Sequence, residues 1–193
     1  MKLEEFERVY WNYYLLLENR VLELEPYIEF AKSNYNTYSL KIKDLLISVC
    51  CEVEQLFILI IGEESSIEGY VNFLNSDNFY GKVKADSVKF KNIDTFHPFV
   101  TNDKNQLFWW KAHNSLKHNR VNSFLKANLE NLLNALAGLY LLEIYYYNKT
   151  YFQTNLEETT VPNNVSKIFS SEEIKSNICN PTLIECDSWD ETC

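Results

Sequence analysis

Residues 45–61, LLISVCCEVEQLFILII, form the stretch that decides the fold of this chain. Apolar side chains occupy nearly every position, so a helix built from them is apolar almost all round. Such a helix is typical of the buried centre of a helical protein. Ser39 or Asp44 lies near the start of this segment and Gly62 follows its end. These end signals predict a central helix over residues 39–61.

The segments on either side also carry helical patterns. Residues 3–24 predict a first helix, which Pro26 ends or kinks. Its predicted buried stripe consists of Phe6, Val9, Tyr10, Tyr13, Leu16 and Leu17. Residues 65–76, SSIEGYVNFLNS, predict a short third helix that Ser65 or Ser66 can cap.

Helical patterning resumes over residues 105–148, with a break predicted near residues 120–123. In this last helical segment, leucines recur at three- and four-residue steps, which predicts a coiled-coil-like seam. The seam consists of Leu125, Leu129, Leu132, Leu136 and Leu139.

Composition and patterning together predict an all-α protein. Glycine and proline occur only four times each in 193 residues, which favours long helices over a turn-rich β fold. We expect a bundle of about five helices in residues 1–150 and an acidic, partly ordered C-terminal tail in residues 151–193. Residues 77–104 lose the helical period and predict an irregular insertion, with one short strand pair around residues 83–89. The tail contains one weak helix start, SSEEI, at residues 170–174.

The charge is distributed unevenly along the chain. The formal net charge of the whole protein is −9, made up of −8 in residues 1–80, +6 in residues 81–127 and −7 in residues 128–193. The acidic total therefore does not exclude an anionic partner for the central part of the chain.

A basic window, WWKAHNSLKHNR at residues 109–120, holds two of the three histidines. On a helix, Asn114, Lys117 and His118 share one face, and His113 and Arg120 lie at its margin. Imidazole exchanges protons near neutral pH, and ammonium or guanidinium groups neutralise phosphate. These are the groups that metal-free cleavage of RNA requires, in which a 2′-hydroxyl attacks the adjacent phosphorus.

In the same window, HNSLKH at residues 113–118 resembles the motif of the HEPN family. That motif is an arginine, four to six further residues and a histidine, and a polar residue such as asparagine commonly follows the arginine. Asn114 and His118 match in type and spacing, whereas His113 stands where the family has arginine. The resemblance covers about residues 3–148 and rests on this one six-residue match.

The resemblance implies a HEPN-like helical bundle and a homodimer with a composite site between protomers. It implies that His118 transfers protons and Asn114 orients, with His113 at the arginine position and charge stabilisation left to Lys117 or Arg120. The implied function is a metal-independent endoribonuclease of a toxin or defence system, which needs no cofactor. An RNA substrate and a cognate antitoxin or defence partner protein are the implied partners, and Lys111, Lys117 and Arg120 are candidate phosphate-binding residues.

Two other functions stay open on the same residues. Because His113 replaces the arginine, the chain is alternatively a non-catalytic HEPN-like module that binds a partner protein, a nucleotide or RNA. The leucine seam alternatively indicates a helical assembly subunit. A purely structural interpretation is that the tryptophans anchor the helix in the core while Lys111, Lys117 and Arg120 are solvated.

The remaining polar candidates are Glu52 and Glu54, the charges in the middle of the central helix. Burial of an unpaired carboxylate is unfavourable, so we expect one of them to meet Lys117, His118 or Arg120 and support the site. No metal site is expected, since His113 and His118 are five residues apart and Cys179, Cys186 and Cys193 lack accompanying ligands.

Three further expectations concern packing and localisation. His97, which precedes a proline, is expected to be a loop residue packed by aromatic neighbours, and Cys50 and Cys51 are expected to pack in the core. Acidic residues near the N-terminus and the absence of a run of about 20 apolar residues predict a soluble cytoplasmic protein without a membrane segment.

Overall fold

A computed structural model of the protein describes residues 1–91, 93–101, 106–153 and 166–171, except for the side chains of Arg120 and residues 151–153. The first two helices of the described chain are α1 (Leu3–Phe6) and α2 (Asn12–Leu22), joined by a π-helical turn over Glu7–Trp11. They are followed by α3 (Leu40–Ile61) and α4 (Ile67–Ser76). The helices α5 (Phe108–His118), α6 (Arg120–Ser123) and α7 (Leu129–Gln153) complete the described helical part. The prediction of a mainly helical chain is confirmed.

The central helix α3 begins and ends where the sequence predicts. The Ser39 side chain accepts a hydrogen bond of 3.1 Å from the Ile42 amide, which satisfies one of the free N–H groups of the first turn. Gly62 ends the helix with φ 91°, a left-handed conformation that favours glycine. Ser66 likewise caps α4, by accepting from the Gly69 amide at 3.2 Å. These local end signals explain why the predicted bounds are accurate.

The buried partner of α3 is α7, and the contact between these two helices is the most extensive in the described chain. Side chains at positions 131–145 of α7 are buried without interruption. Leu129, Leu132, Leu136 and Leu139 therefore lie in the core of this chain and cannot form an exposed seam. Leu125 is 65% exposed and precedes α7. Four of the five predicted leucines are therefore buried, but they pack inside this chain, and Leu125 is not part of the helix that carries them.

The N-terminal helical run buries a different stripe from the predicted one. The π-helical turn contains one residue more per turn than an α-helix, so Phe6 is followed on the buried face by Trp11, five residues later. The stripe then continues through Tyr14, Leu17 and Val21. Of the residues predicted for burial, Phe6 and Leu17 are buried, Tyr10 and Tyr13 are half-buried, and Val9 and Leu16 are exposed. A regular α-helical period cannot anticipate this shift of register.

A small antiparallel sheet, in the order β2-β1-β3, packs on the helices. Its strands are β1 (Val88–Phe90), β2 (Asp94–Phe96) and β3 (Phe169–Ser170). Val88 pairs with Phe96, and Phe90 pairs with both Asp94 and Phe169. The predicted strand pair therefore exists but lies a few residues later, because residues 80–84 form a 3-10 turn. The third strand was not predicted.

The C-terminal segment 166–171, which contains β3, is fixed to the helical body at both ends. At its start the Glu18 carboxylate accepts hydrogen bonds from the Ser166 hydroxyl and, at 2.9 Å, from the Lys167 amide. At its end the Ser171 hydroxyl donates to Asp86 at 3.3 Å. Both acids are almost fully buried. Ser170 belongs to a strand and Ser171 follows it without helical structure, whereas residues 172–174 of the predicted helix start SSEEI lie outside the described residues.

No helix in the described ranges combines the length and the apolarity needed to cross a membrane.

Candidate functional site

Helix α5, which carries the basic window, is amphipathic. Its core-facing side chains are Trp109, Trp110, Ala112, His113 and Leu116. The Trp109 indole donates a 2.7 Å hydrogen bond to the Pro98 carbonyl. Gly138 of α7 lets the Trp109 ring approach closely, since a Cβ atom there would lie 3.3 Å from Trp109 Cζ2. The tryptophans thus fix α5 against the core, as the structural interpretation predicts.

His113 belongs to the buried face and does not join the solvent-facing group predicted from sequence. The residue is 1% exposed, and its ring packs edge-to-face on Trp110 at 5.2 Å. Neither ring nitrogen has a hydrogen-bond partner among the described residues. Burial, followed by the positive charges of Lys117 and His118, lowers the pKa of His113 to about 4. A neutral, enclosed imidazole cannot replace a phosphate-binding arginine.

The other residues of the window lie on the outer side of the helix. Lys111, Lys117 and His118 are exposed, and Asn114 is partly exposed. Asn114 precedes Lys117 by three residues and His118 by four, so the three side chains share one face. This arrangement agrees with the predicted grouping. Arg120 begins α6, and its predicted role lies outside the described side chains.

Lys126, which sequence analysis missed, adds a further cation to this surface. Its Nζ atom donates a 3.0 Å hydrogen bond to the Ser115 hydroxyl, which in turn donates to the Lys111 carbonyl at 2.8 Å. We call Lys111, Lys117, His118 and Lys126 the basic α5 surface. Ser115 lies within the window, but Lys126 follows it by eleven residues, so helical spacing alone did not connect them.

The basic α5 surface also has a structural role. Lys117 and His118 occupy the last turn of α5, where free carbonyl groups give the helix end a partial negative charge. Basic side chains at this position stabilise a helix by about 0.3–1 kcal/mol each when exposed. Helix stabilisation does not account for Lys111, which lies seven residues before the end of α5.

The predicted pairing of Glu52 or Glu54 with a cation of this surface is not formed with Lys117 or His118, and its pairing with Arg120 lies outside the described side chains. Within the described residues, neither carboxylate lies within ion-pair distance of Lys117 or His118. Glu52 instead faces Tyr10 and Tyr13 across a small cavity on another side of α3. Burial raises its pKa above the ordinary value. Helical spacing places residues 52 and 54 about 200° apart, so only one of them can face any given neighbour.

A second cavity, of about 380 Å³, lies at the start of α5 and was not predicted. It is lined by His97, Asp94, Tyr35 and Glu130, among others. Tyr35 donates a 2.9 Å hydrogen bond to Asp94, and Lys32 forms a 2.8 Å ion pair with the same carboxylate. Although burial acts in the opposite direction, these bonds hold the pKa of Asp94 below its usual value. His97 is exposed here and not packed by its aromatic neighbours as predicted.

The cysteines divide between core and surface. Cys50 is buried as predicted, whereas Cys51 is exposed. The predictions for Cys179, Cys186 and Cys193 concern residues outside the described part of the chain. In that described part, no group of three or more histidine, cysteine or acidic side chains is arranged to hold a metal ion.

Comparison of the chain with protein-family models, with curated proteins and with solved structures finds no match.

Proposed function

We propose that the protein is a HEPN-like module that binds RNA through the basic α5 surface. The observation that supports this proposal is the grouping of Lys111, Lys117, His118 and Lys126 on the outer side of α5 and the adjoining turn. Among the described residues, none of the four forms an ion pair with a carboxylate. Unpaired cations on one surface attract the phosphates of a nucleic acid, even in a protein of net charge −9.

Among the predicted functions, binding is favoured over catalysis by the state of His113. The composite site implied by the family resemblance needs a cation at that position, and a buried neutral ring does not supply one. His118 nevertheless stays a candidate proton-transfer group, because its imidazole is exposed beside Asn114 and Lys117. RNA cleavage by a dimer that brings two copies of His118 together is therefore the second candidate function, and a toxin or defence role belongs to the same proposal.

The test is a fluorescence-anisotropy titration of a labelled single-stranded RNA at several salt concentrations. The double variant Lys111→Ala/Lys117→Ala is expected to weaken binding by at least tenfold. The salt dependence of binding should also be reduced, because RNA releases fewer counterions when the protein contacts fewer of its phosphates. The control is Lys82→Ala, which removes an exposed lysine of the same positive part of the sequence but from another element. Equal affinities of the double variant and the wild type would contradict the proposal.

Cleavage is tested in the same preparations by incubating the RNA with EDTA present. Loss of cleavage in His118→Ala, at a protein concentration at which the variant saturates the RNA, is the result expected of the enzyme. If the wild type binds RNA but cleaves none of the RNAs tested, the result favours the non-catalytic module.

A further inference from the structure

The cavity beside Glu52 has the chemistry of a cation site and is separate from the basic α5 surface. It has a volume of about 250 Å³ and is lined by Val9, Tyr10, Tyr13, Glu52 and Gln55. Val9 and Gln55 are exposed, so the cavity is open to solvent. Two tyrosine rings and one carboxylate therefore face the same space. Aromatic faces and carboxylates both attract cations.

A second carboxyl group, that of Glu143, is close enough to interact electrostatically with Glu52 and Tyr10. Glu143 belongs to α7, is 1% exposed, and its Oε2 atom accepts no hydrogen bond from a described residue. The ring of Phe6 lies 5.6 Å from that of Tyr10 and 4.6 Å from that of Tyr146, three residues after Glu143 on α7. This stretch of α7 therefore packs near the π-helical turn, and the charges of Glu143 and Glu52 both act on Tyr10.

The pKa values of the groups around Glu52 and Glu143 are shifted by burial and by one another's negative charges. Burial first, and then the negative charge of Glu52, raise the pKa of Glu143 well above its ordinary value. The pKa of Tyr10 is raised by burial and by the charges of both acids, and Glu5 contributes to the raised pKa of Tyr146. The ionisable groups that act on one another here are therefore acids and phenols. A buried carboxyl in such surroundings is held as the neutral acid.

The π-helical turn of the N-terminal run forms one side of the cavity beside Glu52. Val9 and Tyr10 lie in the π-helical turn Glu7–Trp11, and Tyr13 follows it by two residues. A π-helical turn widens a helix and is frequent at functional sites. Here it rotates Trp11 into the core and leaves Tyr10 and Tyr13 half-buried at the cavity.

We propose that this cavity binds an organic ammonium ion, with its charge against the Glu52 carboxylate and its alkyl groups against the rings of Tyr10 and Tyr13. A small amine suits this lining better than a bare divalent metal ion, since Mg²⁺ and Ca²⁺ require six or more oxygen ligands. The bound positive charge also favours ionisation of Glu143. Its proton then leaves for the solvent, and the carboxylate that remains is balanced by the cation. This site does not depend on the proposed RNA binding.

The experiment is isothermal titration calorimetry of the full chain with tetramethylammonium chloride and, separately, with 1,4-diaminobutane. Each titration is performed at pH 7 in two buffers of different ionisation enthalpy, because the difference between the measured heats gives the number of protons released. The wild type is expected to bind at one saturable site and to release protons. Glu52→Gln is expected to weaken binding at least tenfold. Glu143→Gln is expected to bind without releasing a proton.

The matched control is Glu54→Gln, which removes the same charge from the same helix but on another side. Unchanged affinity in Glu54→Gln with weakened affinity in Glu52→Gln supports a specific site. Equal weakening in both variants indicates attraction to the net negative charge alone and overturns the proposal. The absence of saturable binding by the wild type also overturns it. Should Glu143→Gln fail to fold, the comparison of Glu52→Gln with Glu54→Gln still decides.

Discussion

A single buried imidazole, His113, makes the stability of this protein dependent on pH. Its pKa is about 4 in the folded chain, compared with 6.5 for an unperturbed histidine. Between these values the unfolded chain binds more protons than the folded chain. The contribution of His113 to the free energy of unfolding therefore falls as the pH is lowered from about 6.5 to about 4, by at most about 1.4 kcal/mol per pH unit and about 3 kcal/mol in total.

His113→Leu is expected to reduce this loss of stability at low pH, because leucine keeps the apolar contact and binds no proton. Urea unfolding of the variant and the wild type at pH 4.5, 5.5 and 7 measures the difference in slope. His97→Gln is the control, since it removes a histidine that is exposed and leaves the buried ring of His113 in place. Parallel pH profiles for His113→Leu and the wild type would show that the His113 ring is protonated freely in the folded chain.

The sequence contained a signal for the burial of His113. Trp109 and Trp110 precede it by four and three residues and Leu116 follows it by three, so the residue lies in an apolar stripe. The motif of the family concerns the type and spacing of residues, and it does not indicate on which side of the helix His113 lies. His118 was assigned to the exposed side correctly, because nine residues, about 180° around the helix, separate it from Trp109. The exposure of Lys117 does not follow from this spacing, since Lys117 comes seven residues after Trp110 and so lies on nearly the same side of the helix.

At the scale of elements, helix ends were predictable and the π-helical turn was not. Ser39, Gly62 and Ser66 act on backbone groups within a few residues of themselves, so the helix ends can be predicted from the local sequence. The turn over Glu7–Trp11 depends on which face of the run packs against the rest of the chain. Nothing local in ERVYW distinguishes this turn from an α-helical one.

Deletion of Val9 tests this account of the N-terminal run. Without this exposed residue, Trp11 follows Phe6 by four positions, and an ordinary α-helical turn places both rings in the core. We expect the free energy of unfolding to change by no more than about 1 kcal/mol, as for surface changes that keep the packing. The measurement is thermal unfolding followed by circular dichroism.

Deletion of Leu16 is the matched control, because Leu16 is as exposed as Val9 but lies within the regular helix α2. There the deletion rotates everything before it by about 100° relative to Leu17 and Val21. Displacing core residues costs about 2–5 kcal/mol each, so this variant should be severely destabilised. Similar losses in both deletions would contradict the assigned register.

At the scale of the whole molecule, the sheet joins parts of the chain that are far apart in sequence. β3 pairs with β1 about eighty residues earlier, and Phe169 packs within 5.7 Å of the rings of Phe90 and Tyr140. Such a pairing leaves no periodic signal near residue 169. The sequence therefore supported an acidic tail after residue 150, although part of that tail completes the core.

Substitution of Glu18 tests how the segment that contains β3 is held against the helices. Its carboxylate accepts hydrogen bonds from Tyr14 at 2.7 Å, from Ser166 and from the Lys167 amide at 2.9 Å, in a fully buried position. Glu18→Gln replaces one acceptor oxygen by a donor amide, so bonds are lost and buried polar groups remain unpaired. We expect a loss of about 2–4 kcal/mol of stability and faster hydrogen exchange of the Lys91 amide, which donates to the Ile168 carbonyl at 2.9 Å.

Glu25→Gln is the control: it removes a 2.7 Å ion pair with Lys91 on the surface, where such pairs contribute at most about 1 kcal/mol. If exchange at Lys91 accelerates equally in both variants, the segment is held by its apolar side chains and not by the buried carboxylate.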